Sequence, residues 1–155
     1  MNNLWYFSER LLCSHKEKAE CLQTMRKLSR FLTVARADGF LALEPFEEQE
    51  TDPLIKACLS DILDVLDDKE LKLRFEDYLS AGNYYGKNFL HAVIVLRGFL
   101  LLYTCQTPET FWKELQCYFG ADFAREYQKA FQQEKENGET IWSLRKAKTT
   151  EKLRL

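Results

Sequence analysis

Residues Ser14 to Pro45 read SHKEKAECLQTMRKLSRFLTVARADGFLALEP, and their periodicity decides the fold. Apolar or small residues recur at Cys21, Met25, Leu28, Leu32, Ala35 and Gly39, in steps of four and three, which is the stripe of an amphipathic helix. Leu22, Phe31 and Leu43 widen that stripe, and Lys16, Glu17, Lys27, Arg30 and Asp38 supply the polar side. Pro45 cannot continue the helix without losing a backbone hydrogen bond, so the segment is expected to end or kink there. Gly39 inside the pattern costs roughly 1 kcal/mol relative to alanine. Another backbone, or a bend, is therefore expected at that point. Arg36 and Glu44 flank it. On one continuous helix, positions eight apart differ by about 80° in direction and about 12 Å in height, so the two charges are free to meet another molecule.

Helical patterns continue on the C-terminal side. Glu47, Glu48 and Glu50 read as an acidic linker, and Thr51-Asp52-Pro53 as a helix start, with Asp52 as cap and Pro53 in the first turn. A broad apolar face from Leu54 to Leu66 follows, and Asp67 or Asp68 caps the next helix, through Leu71, Phe75 and Tyr78. Gly82 to Gly86 is the clearest break in the chain. From Asn88 to Tyr103 apolar residues lie all round, as expected of a central core helix. Thr107-Pro108-Glu109 opens another helix, Gly120 and Asp122 separate it from a stretch through Phe123, Tyr127 and Phe131, and Asn137-Gly138 reads as a turn. The fold class is all-α, a compact single-domain bundle of about six to seven helices over residues 1–140, with residues 141–155 as a flexible basic tail.

The bulk composition narrows the function. Of 155 residues, 46% are hydrophobic and 30% charged, and the formal net charge is −2. That balance gives no global attraction to nucleic acid. The apolar run Phe89 to Tyr103 is shorter than the about 20 residues of a membrane span and holds His91 and Arg97. Five cysteines without Cys-x-x-Cys spacing read as small buried apolar residues of a reducing compartment. With no signal peptide pattern in Met1 to Cys13, a cytoplasmic location is expected. His15 and His91 belong to no metal-ligand spacing, and His91 reads as a core or boundary histidine with its hydrogen bonds satisfied. Phosphate-loop, dinucleotide and nucleophile-elbow motifs are lacking in the sequence, so no catalytic residue, metal or cofactor is expected. Asp61, Asp64, Asp67 and Asp68 read mainly as a solvated face with helix caps, and a cation site is the minority alternative.

In order along the chain, Ala35 to Glu44, the acidic linker, Asp52-Pro53-Leu54-Ile55-Lys56 and the aspartate-rich turn at Asp64 to Glu70 resemble the cytoplasmic part of the flagellar motor stator A-subunit (MotA) family. A second block, Val93 to Phe119, is similar to that family's later cytoplasmic segment. The blocks cover roughly residues 28–120. The resemblance implies that Arg36 and Glu44 match the family's arginine and glutamate, which make charge contacts with a helix of the rotor protein FliG. It extends only to the cytoplasmic blocks: the family's membrane helices have no counterpart here, so ion conduction is not expected.

The sequence thus points to a cytoplasmic helical protein that binds another protein, with a flagellar rotor component as the partner the resemblance implies. Arg36 and Glu44 are the expected contact residues, assisted by Arg30, Glu47 and Glu48. Two alternatives stand beside it. One is a self-associating structural module, for which the 14% aromatic content would supply the surface. The other is a small metal-binding enzyme using the aspartate-rich turn.

Overall fold

Ser14 opens the longest helix among the described residues through a reciprocal cap. Its Oγ accepts from the Glu17 amide (3.2 Å), and the Glu17 carboxylate accepts from the Ser14 amide (3.1 Å), so two amides with no partner inside the helix are satisfied together. A computed structural model describes residues 4–64 and 66–138, and every described element in it is helical. In chain order they are α1 (Leu4–Arg10), α2 (His15–Asp38), α3 (Glu44–Gln49), α4 (Pro53–Leu63), α5 (Asp68–Ala81), α6 (Gly86–Tyr103), α7 (Pro108–Gln116) and α8 (residues 124–138), with short 3-10 turns between some of them. The all-α bundle is therefore as the periodicity predicts, with the short helices α1 and α3 in addition.

The stripe of α2 is buried from Cys21 to Ala35, and it lies against α6. Four contacts give the direction: Glu20 meets Lys87, Thr24 meets His91, Leu28 meets Gly98 and Phe31 meets Phe99. Numbers rise together on both sides, so α2 and α6 run parallel. Apolar residues of α6 are buried all round, from Phe89 to Leu102, because α4, α5 and α7 cover its other sides. Among the described residues, α6 is the one helix long and apolar enough to cross a membrane, and 56% of it is buried inside the bundle. Helix α7 starts on Thr107, whose hydroxyl accepts from the Thr110 amide. Its Trp112 is enclosed by Tyr127 and Phe131 of α8 and donates to Ser29 of α2 (3.2 Å). The Tyr127 hydroxyl donates in turn to the Trp112 carbonyl, so the core's polar atoms are used within it. Truncating a residue such as Leu28 here falls in the class that loses about 3 kcal/mol.

Close packing at a glycine is found on α6 rather than at Gly39. A Cβ built on Gly98 would lie 2.9 Å from Leu28 Cδ1 and 3.5 Å from the Phe111 ring, so only hydrogen lets α2 approach. Gly39, by contrast, has open space around its Cα and a backbone at φ 85°, ψ 173°, a region that side chains other than glycine's hydrogen scarcely enter. It ends α2 instead of sitting inside it. A 3-10 turn (Phe40–Leu43) follows, and Pro45 lies in the first turn of α3 instead of stopping a helix. The acidic run is likewise no linker: Glu47 and Glu48 lie on α3, and Glu50 follows directly and is buried.

Cys21 and Cys58 are buried, but Cys105 and Cys117 are exposed. Asn137 and Gly138 are helical, so α8 continues through the expected turn. The basic segment from residue 141 lies outside the described residues.

Candidate functional site

The expected contact residues gather at the corner where α2 ends. Phe40 anchors this corner by stacking on Tyr103 (5.6 Å between centroids), and Leu43 is buried beneath it. Alternating with these anchors, Leu41 points outward and is 76% exposed. Phe46 is partly exposed and meets Phe31 edge-on at 5.5 Å. Arg36, on the last turn of α2, and Glu44, at the start of α3, are both exposed, and no ion pair forms at either among the described residues. Because the helix breaks between them, they belong to different elements and not to one continuous face.

The auxiliary residues divide. Glu48 is exposed and Glu47 half-buried on α3. Arg30 lies away from the corner's tip and approaches Glu134 of α8 (3.7 Å). Glu50 works inward: its carboxylate accepts from Lys27 Nζ (2.6 Å) and from the Asp52 amide (3.0 Å), which ties α2 to the start of α4. The corner is thereby held from three sides while its outer face stays free.

A second polar arrangement joins α2, α4 and α6. Asp52 caps α4 with one oxygen, Oδ1 accepting from the Leu54 and Ile55 amides (2.9 and 3.2 Å). Its other oxygen, Oδ2, is 2.7 Å from His91 Nε2, and His91 Nδ1 is 2.9 Å from Thr24 Oγ1. Both ring nitrogens of His91 are thus partnered, as expected. They border a cleft of about 270 Å³ whose rim carries Glu20, Lys87 and Asn88. No spacing in the sequence announces this group, since its three members come from three helices far apart along the chain.

The aspartate-rich turn is a structural knot. Asp61 is buried, accepting from Arg74 (2.8 Å) and from the Tyr78 hydroxyl (2.7 Å), so it is not on a solvated face. Burial first, and then the hydrogen bond to Asp61, push the Tyr78 phenol up to about 12. Asp67 caps α5 by accepting from the Glu70 amide, and Asp64 is exposed at the end of α4. Among the described residues there is no cluster of three or more His, Cys, Asp or Glu side chains that could hold a metal ion. No protein-family model matches this chain, and no curated protein and no solved structure is significantly similar to it.

Proposed function

We propose that this chain is a protein-binding helical domain acting in the cytoplasm, and that its contact surface is the corner of residues 36–48. The observation that carries the reading is the exposed Leu41 set between Arg36 and Glu44, two charges with no ion pair inside the described fold. An apolar residue on an anchored turn supplies contact area with little ordering entropy left to lose, and the flanking charges of opposite sign orient the encounter. The resemblance to the stator family supplies the partner class: a rotor component of the FliG type that presents a charged helix. Glu47 and Glu48 extend the acidic side of that surface.

The test is capture of a purified FliG-type rotor protein at low salt by the full chain and by two variants. Arg36→Glu with Glu44→Arg, and separately Leu41→Ser, should each weaken capture while leaving the helical circular dichroism unchanged. Capture equal to wild type in both variants would remove the assignment.

A further inference from the structure

We infer that the cleft between α2, α4 and α6 is a hydrolytic site for short acyl esters, with Thr24 as nucleophile, His91 as its base and Asp52 as the positioning residue. The surface is separate from the corner of residues 36–48, so neither reading depends on the other.

The hydrogen-bond directions follow from elementary chemistry. An ionised Asp52 can only accept, so the 2.7 Å contact requires the proton of neutral His91 to be on Nε2. In that neutral ring Nδ1 is an acceptor, and the Thr24 hydroxyl 2.9 Å away donates to it. Thr24 is therefore hydrogen-bonded through its proton to a base that a carboxylate holds in one tautomer, which is the logic of a catalytic triad with the two ring nitrogens exchanged. The carboxylate is itself immobilised, because its other oxygen is occupied by two α4 amides. A threonine within a helix ordinarily donates to the carbonyl one turn back, and Thr33 on this same helix does so, to Ser29 (3.0 Å). Thr24 does not follow that habit.

The surroundings fit the chemistry. Lys87 is held by Glu20 (2.7 Å) at the rim, one turn before the Thr24 and His91 pair on both helices. Asn88 lines the same cleft and is the residue assigned to the oxyanion. A cleft of about 270 Å³ has room for a short acyl chain. Cys21 is one turn from Thr24 but is no competitor: it is buried, its thiol points to the Lys87 carbonyl (3.8 Å), and burial pushes it up to about 12.

In the reaction, Thr24 Oγ1 attacks the ester carbonyl carbon as its proton passes to His91 Nδ1. The bond from the acyl carbon to the alkoxy oxygen breaks, and the departing alkoxide takes that proton and leaves as the alcohol. Water then attacks the acyl-threonine and gives its proton to His91, which returns it to Thr24 as the carboxylic acid departs.

The experiment uses the full chain with p-nitrophenyl acetate, followed by peptide mapping of the acetyl adduct by mass spectrometry. The expected result is turnover above buffer, an acetyl group on Thr24, and a loss of about tenfold or more in Thr24→Val and in His91→Ala, with added imidazole restoring part of the activity in the second. Asp52→Asn keeps the α4 cap but can donate to Nε2, which moves the ring proton to Nδ1, so kcat should fall with KM and the thermal midpoint unchanged. Wild-type turnover no faster than buffer, full activity in Thr24→Val, or an adduct mapped elsewhere overturns the proposal.

Discussion

Two aspartates of helix α4, its N-cap Asp52 and Asp61 near the other end, are used in opposite ways. Asp61, with 6% of its side chain exposed, is closed off by Arg74 and the Tyr78 hydroxyl. Asp52, with 30% exposed, gives one oxygen to backbone amides and turns the other to His91 beside an open cleft. The residue type is the same, and the partners differ. Permanent donors on a neighbouring helix make an anchor, whereas an imidazole that can take and return a proton makes a group with chemistry available to it.

That contrast can be attacked from the closed end first. Asp61→Ala should destabilise the fold by about 2 kcal/mol, because it leaves the Tyr78 hydroxyl without its partner, while Arg74, half in water, loses little. Urea unfolding followed by circular dichroism gives the number, and a loss near zero would abolish the distinction between the two ends. Asp52→Ala should remove less, about 1 kcal/mol for the lost helix cap, since the His91 contact is partly open to water on both sides and adds little. The same unfolding series measures it, and a loss above that of Asp61→Ala would reverse the comparison.

The smallest effect is confined to alkaline solution. Because the Tyr78 phenol is raised to about 12 in the fold, its contribution to stability is complete below the ordinary tyrosine value of about 10 and is lost as pH rises from there through the folded value. The urea midpoint of wild type should therefore fall over that window. Asp61→Ala should show a shallower slope, since its hydrogen bond and its charge, both of which raise the Tyr78 phenol, have been removed. Equal slopes in wild type and Asp61→Ala would detach Tyr78 from Asp61.

What could be read from the sequence was what is locally encoded. Asp52-Pro53 and Thr107-Pro108 start helices in the fold because a cap and a proline act on amides within one turn. The stripe from Cys21 to Ala35 is buried because a helical period puts those residues on one side whatever they meet. Gly39 was misleading for a physical reason: a glycine that admits a close neighbour and a glycine that admits a positive φ are the same letter, and only the fold separates Gly98 from Gly39. The break at Gly39 then carried Arg36 and Glu44 onto different elements and hid α3 within what read as a linker. Glu50 could not be recognised as buried, since its burial depends on Lys27 one helix away. The Thr24, His91 and Asp52 group was invisible for the same reason, as it exists only once three helices have met.

The parallel run of α2 and α6 has a consequence for how the protein is made. An antiparallel neighbour could be the very next helix, but a parallel one requires the chain to travel back first, here through α3, α4 and α5. During synthesis from the N-terminus, α2 therefore leaves the ribosome with Met25, Leu28 and Leu32 uncovered, and they remain so until α6 has followed. Loop closure over that separation must be completed before the core rewards it, so the nascent α2 stripe has to stay soluble until α6 arrives.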